Sequence, residues 1–183
     1  HGKHVWLDKP AGDDLRYFRQ VLDLAAKKKL LVQLGYMFRY NRGFQFLLDW
    51  AKSGKLGDIF SVRARISTGN VNQAHWERWN SDGERQGGIM FILACHLIDI
   101  IVALLGRPGR VIPFLRHDGA EFPWFLDNNL VVFEYPNGQA ILESTALEVS
   151  SGASRRIEVY GTTGSAIMEP LEPPQLRLCL NTD

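Results

Sequence analysis

Leu130-Val131-Val132-Phe133-Glu134-Tyr135-Pro136-Asn137-Gly138-Gln139-Ala140-Ile141-Leu142-Glu143 reads as two strands folded about a tight turn. The run Asn129–Tyr135 is rich in β-branched and aromatic residues, which suit a pleated surface. Pro136-Asn137-Gly138 supplies turn chemistry, and Gln139–Glu148 continues as the return strand. A second hairpin reads from Arg155–Tyr160 and Ser165–Met168 about Thr162-Thr163-Gly164. Val111–Leu115, Leu176–Leu180 and the alternating Ile59–Ser67 add further strands. Strands that follow one another through short turns predict an open, mainly antiparallel sheet.

Upstream, helices join the sheet. Ile89–Leu105 is apolar except for His96 and Asp99, with Gly87-Gly88 before it and Gly106-Arg107-Pro108 after it. Its length falls at the low edge of a membrane span and an Asp lies inside, so it reads as a buried core helix over 88–105. Phe44, Leu47, Leu48 and Ala51 mark an amphipathic helix closed by Ser53-Gly54. Residues 69–86 are polar, carry Trp76 and Trp79, and read as a long loop of the kind that often has a function. The first residues differ in style. Val5–Leu7 is strand-like, and Leu15, Phe18, Val21, Leu22, Ala25 and Ala26 repeat at helical spacing after a cap at Asp13 or Asp14. Lys27-Lys28-Lys29 suits the negative end of that helix. Leu30–Leu34 then reads as a buried strand ended by Gly35. The order is the tail of an α/β unit followed by an α+β domain with helices on one sheet face.

Composition narrows the function. The chain has 183 residues, 45% apolar and 22% charged, which fits one globular domain or one domain plus part of another. A net charge of +1 offers no basic field for nucleic acid. Cys95 and Cys179 make neither a disulfide framework nor a zinc set, so a reducing, cytoplasmic setting is expected and no metal. Position 1 is His, and the methionines lie at 37, 90 and 168, which suggests a chain cut from something longer. No glycines are spaced two apart, so a G-x-G-x-x-G loop is excluded within these residues. H-E-x-x-H, C-x-x-C and G-x-S-x-G are absent as well.

Four constellations remain. Lys9 follows a strand, where α/β enzymes place reactive groups, or it is a solvated turn lysine. His96 and Asp99 share a helix face, as a functional pair or as a structural one that anchors the helix. Trp76, Arg78 and Trp79 could clamp a polyol or sugar, or anchor their loop. Arg39-Tyr40-Asn41 follows the second strand's turn, and Asn41 can serve as a helix cap.

These pieces, in order, resemble the glucose–fructose oxidoreductase / inositol dehydrogenase (Gfo/Idh/MocA) family. Lys3–Pro10 is similar to its Glu-Lys-Pro region, with Asp8 for Glu. Val32–Asn41 looks like its strand leading into an Arg-Phe/Tyr-Asn signature, and Gly54–Ile59 like its Gly-x-Ile-Gly-x-Ile turn. Gly87-Gly88 with Cys95–Asp99 looks like its Gly-Gly…His-x-x-Asp helix; 132–138 and 157–165 look like its hairpins. The resemblance implies a Rossmann-domain tail at residues 1–35. It also implies a C-terminal substrate-binding and oligomerisation domain at 36–183, similar to that of dihydrodipicolinate reductase. It further implies hydride transfer between NAD or NADP and a hydroxyl carbon of a sugar, polyol or cyclitol. The nucleotide would be held mainly outside this chain. Lys9 matches the lysine that bonds the reacting oxygen, and His96 the histidine that takes the proton. The expected site is thus Lys9 and His96 as catalytic groups, Arg39, Trp79 and Asp99 on substrate, and Lys9 and Pro10 at the cofactor. One departure stands out: the family's Asp one turn before the histidine is Ile92 here. A non-catalytic sugar-binding or dimerisation module, and redox-neutral NAD-assisted glycoside cleavage, are the alternative readings. A homo-oligomer through the open sheet face is expected, with no nucleic-acid or membrane partner.

Overall fold

The computed structural model describes residues 2–12, 14–69, 87–119 and 124–181. The chain divides into two compact units, His1–Met37 and Phe38–Asp183.

The first unit holds β1 (Val5–Leu7), α1 (Leu15–Lys27) and β2 (Val32–Leu34). The two strands pair in parallel, Val5 opposite Val32 and Leu7 opposite Leu34. Asp14 caps α1, its carboxylate accepting from the Arg16 amide at 2.8 Å. The apolar stripe of α1 forms as its spacing predicts, yet no residue of the helix is buried. The strand expected to be buried is not: Leu31 is exposed, and Val32 and Leu34 are half-buried. Parallel strands normally have both faces covered, and one helix and one neighbouring strand cannot supply that.

The second unit begins with a 3₁₀ turn, Met37–Tyr40, and α2 (Arg42–Lys52). Asn41 caps α2 through the amides of Gly43 at 2.9 Å and Phe44 at 3.4 Å. After β3 (Ile59–Arg65), residues 70–86 lie outside the described residues, and the helix follows from Gly88. That helix departs from a plain α-helix over 88–105. Met90–Ala94 is a π-helical turn, and α3 proper is Cys95–Leu105. A π turn inserts one residue into the ladder, and such turns often sit at functional sites. Gly106, at φ 77°, ends α3 with its amide on Val102 O at 2.9 Å.

The remaining strands are β4 (Arg110–Arg116), β5 (Asn128–Tyr135), β6 (Gly138–Thr145), β7 (Arg156–Gly161), β8 (Gly164–Leu171) and β9 (Pro174–Leu180). They form one seven-stranded sheet in the order β4-β5-β6-β3-β7-β8-β9. Every pairing is antiparallel except β3 with β6, where Ser61 faces Gln139 and Arg65 faces Glu143. The Pro136-Asn137 and Thr162-Thr163 hairpins fall where the sequence put them, whereas β6 stops at Thr145, short of Glu148. A third turn, Glu172-Pro173, joins β8 and β9. α2 and α3 lie against one face and close a core of Phe38, Phe44, Leu47, Val62, Leu97, Ile100, Ile101, Leu142 and Ile157, among others. Each fully buried side chain of this size contributes about 2 kcal/mol. The other face carries Ile112, Leu130, Val132 and Ile141 beside Arg63, Arg156 and Glu158. Among the described residues no helix is long and apolar enough to cross a membrane.

Candidate functional site

All but one of the buried polar side chains of the described residues gather at one end of the sheet. They are Ser67 just past β3, Asp127 and Asn129 at the start of β5, and Ser144 near the end of β6, while His96, the remaining one, is buried at the start of α3. Desolvated polar groups are costly unless bonded or used, so such a cluster marks a site. Several are bonded: Ser144 Oγ donates to Ile66 O at 2.6 Å, and Ser67 Oγ accepts from the Thr145 amide at 3.2 Å. Asn129 accepts from the Arg116 amide and donates to Leu126 O, both at 3.0 Å.

His96 is 7% exposed. Its ring lies 5.3 Å from that of Phe38, which stacks on Phe44 at 4.5 Å. The aromatic pair thus forms one wall for the imidazole. The preceding turn contributes no carboxylate. Ile92, one turn before His96, packs with Ile89, Phe125 and Ala146. Cys95, buried next to His96, donates its thiol to Ile92 O at 3.7 Å.

Asp99 is not a structural partner held for His96 alone. It takes both hydrogen bonds of a forked pair from Arg39, at 2.6 and 2.7 Å, across 60 positions of sequence. The planar guanidinium fits a carboxylate two bonds at a time. This pair ties the turn before α2 to α3 and brings together two of the residues expected on substrate. Asn41 does what its cap reading implied. Lys9 and Pro10 belong to the first unit and follow the carboxyl end of β1. Trp76, Arg78 and Trp79 lie outside the described residues. Among the described residues no group of three or more His, Cys, Asp and Glu is placed to hold a metal.

Sequence reasoning missed His117 and Asp127. Asp127 is 3% exposed and accepts from the amides of Asp118 at 2.8 Å and Gly119 at 3.0 Å. His117 Nδ1 lies 3.1 Å from Asp127 Oδ2 and 2.8 Å from Phe125 O. Next to them, Arg116 forks onto Asp118, and Asn128 donates to it at 2.8 Å. The Arg116 hydrogen bonds first, and that of Asn128 second, pull the Asp118 pKa from 3.8 down to about 2. A depressed carboxyl stabilises the fold above its unfolded value, and that contribution disappears as pH falls through the folded value. Acid should therefore loosen this corner between about pH 4 and pH 2. Asp118→Asn should flatten the fall of melting temperature across that window, and an unchanged slope would refute the assignment.

A family model described as the oxidoreductase family, C-terminal alpha/beta domain, matches residues 51–183. The chain belongs to the Gfo/Idh/MocA oxidoreductase family. It is similar to the uncharacterized oxidoreductase YdgJ of Escherichia coli, 27% identical over 97% of this chain and 50% of that protein. It is also similar to inositol 2-dehydrogenase of Serratia proteamaculans, 26% identical over 96% of this chain and 50% of the relative. The solved WlbA dehydrogenase of Bordetella pertussis, in complex with NADH and UDP-GlcNAcA, superposes with a TM-score of 0.86. It is 17% identical, covering 100% of this chain and 53% of that one, so it shows a shared fold. The chain spans about half the length of the curated relatives it matches.

Proposed function

We propose that this chain supplies the substrate side of a nicotinamide-dependent oxidoreductase. Its substrate would carry the reacting hydroxyl on a sugar, polyol or cyclitol. The observation that carries this reading is His96, buried in the first turn of α3 beside Phe38, in a chain of this family. The inositol 2-dehydrogenase relative supports the substrate class. The coverage of about half of each relative, and the uncovered apolar stripe of α1, support a Rossmann sheet adjoining β1 in the whole protein.

The residues of the first unit fit the nicotinamide end of such a cofactor. Ligands of open α/β sheets bind beyond the carboxyl ends of parallel strands, and Asp8-Lys9-Pro10 and Gly35-Tyr36 follow those ends here. Gly35 donates to Leu7 O at 2.9 Å, and a Cβ there would lie 3.2 Å from the Trp6 ring and 3.4 Å from the Asp8 carboxylate, so the two strand ends are close-packed just before Lys9 in the chain. When bound, NAD(P) would supply the acceptor for the hydride that leaves the hydroxyl carbon. Lys9 hydrogen-bonds the reacting oxygen, and His96 receives the hydroxyl proton as the carbonyl forms. Arg39 and Asp99 meet substrate as one preset ion pair, with Trp79 as a stacking face. The protein works in the cytoplasm as a homo-oligomer joined through the open sheet face.

The test uses the full-length protein with NAD or NADP and a series of cyclitols, aldoses and nucleotide sugars. Reduced nicotinamide should accumulate in step with a ketone product. Glycoside cleavage without net reduction would replace this reading with the redox-neutral one. Ile92, packed in an apolar cluster where the family has a carboxylate, favours a second reading as a sugar-binding or dimerisation module. Ligand binding with no chemical change would establish that one instead.

A further inference from the structure

We propose that the Asp127–His117 pair is a positioning device for His96, acting through the segment Phe125–Asp127. The proposal rests on the reading of His96 as the proton acceptor.

Both neighbours of His117 Nδ1, the Phe125 carbonyl and the Asp127 carboxylate, are acceptors. Nδ1 therefore carries its proton whether the ring is neutral or charged. That single N–H ties the carboxylate to the chain two residues before it. All three carbonyls of the segment are then held. Phe125 O is held by His117, and Leu126 O accepts from the Ile89 amide and Asn129 Nδ2, both at 3.0 Å. Asp127 O accepts from the Ala146 amide at 2.8 Å, and the Asp127 amide donates to Arg116 O at 2.9 Å. The segment is a brace between β4, the residue after β6, and Ile89 at the start of the π turn that leads into α3.

The Ile89 contact gives the brace its consequence. Ile89 is the residue from which the π turn Met90–Ala94 departs, and His96 follows directly. Gly88 sits so close that a Cβ would collide with the Leu126 carbonyl. Phe125 packs with Ile89 and Ala146, and with Ile92 one turn before His96. No slack lies between the brace and the first turn. A buried carboxylate is a costly way to hold a loop, and apolar packing would do so with less desolvation. What the carboxylate adds is direction: it fixes one ring orientation and one carbonyl position.

Two readouts isolate this from general stability: the titration of the His96 ring by NMR, and hydrogen exchange of the Ile89 amide. Both are followed in the full chain beside the thermal midpoint. Asp127→Asn leaves one oxygen where two accept from Asp118 N, Gly119 N and His117 Nδ1, so at least one of these donors meets an NH2, and His117→Phe removes the ring donor. Either should move the His96 midpoint by about half a pH unit or more. Either should also speed Ile89 exchange about tenfold or more. His117→Asn keeps a donor where Nδ1 stood and should restore both readouts. Loss of thermal stability with both readouts at wild-type values would overturn the proposal, as would His117→Asn behaving like His117→Phe. Should Asp127→Asn not fold, the two His117 variants decide alone. Neither readout needs turnover, so failure of the dehydrogenase reading shows separately, as absent nicotinamide reduction in the wild-type protein.

Discussion

On the proposed dehydrogenase reading, alanine at Lys9 should lower kcat of the full-length protein by about 10²- to 10⁴-fold, the span expected for losing a group engaged in proton transfer. Alanine at His96 lowers it less. The difference follows from Ile92. A histidine that receives a proton works best when a carboxylate fixes its tautomer and stabilises its cation. Here the preceding turn offers a side chain packed against Ile89, Phe125 and Ala146 instead. Asp99, on the following turn, is committed to the Arg39 fork. Phe38 flanks the imidazole, and without a carboxylate on the preceding turn more of the burden falls on the lysine. KM should change little in either variant, because the proposed role of each group is on the reacting oxygen. The pH profile of kcat/KM carries the second check: the limb that belongs to His96 should vanish in His96→Ala and persist in Lys9→Ala. If turnover of every accepted substrate survives Lys9→Ala unchanged, the dehydrogenase mechanism is wrong.

What the sequence reveals depends on how local the determining physics is. The Pro136-Asn137 and Thr162-Thr163 turns are legible because turn chemistry and flanking β-formers lie within a dozen residues. The Glu172-Pro173 turn is not: strands are read at 165–168 and 176–180, but consecutive prolines at 173 and 174 argue against carrying them up to a tight turn. The parallel seam of β3 with β6 joins residues far apart in the chain, and no local signal encodes it. The same holds for the site. His96 is conspicuous as an ionisable group in an apolar helix. The Arg39–Asp99 fork and the His117–Asp127 pair depend on tertiary approach. His117-Asp118-Gly119 reads locally as an ordinary polar turn, and nothing in the spacing to Asp127 marks a partner. The π turn is equally hidden, because its residues carry the same apolar pattern an α-helix would need. The exposed stripe of α1 shows the converse: periodicity announces an apolar face, whereas its cover is a property of the whole assembly.

Phe44→Ala should be the most damaging core substitution near the site, costing about 3–5 kcal/mol. Phe44 is 0% exposed and sits in the first turn of α2, immediately beyond the Asn41 cap. Its ring stacks on Phe38 at 4.5 Å with 16° between planes, and Phe38 in turn flanks His96. Truncation removes the buried ring and leaves a cavity that the cap and the sheet beneath prevent from closing. The surrounding groups cannot all relax inward. Phe38 can, and if it tilts toward the void it leaves the imidazole. Phe46, two residues on and 45% exposed, is the control, and its alanine variant should cost less than about 1 kcal/mol. Urea unfolding measures both, with an unchanged slope showing that only stability has moved. A second expectation separates packing from catalysis. Phe44→Leu refills much of the volume and should recover most of the stability, yet it lacks the flat face that holds Phe38 in its stack. The His96 titration should therefore remain displaced in Phe44→Leu even where the fold is nearly as stable as wild type. If stability and the His96 titration return together, the aromatic stack acts as bulk alone, and the wall beside His96 needs no ring behind it.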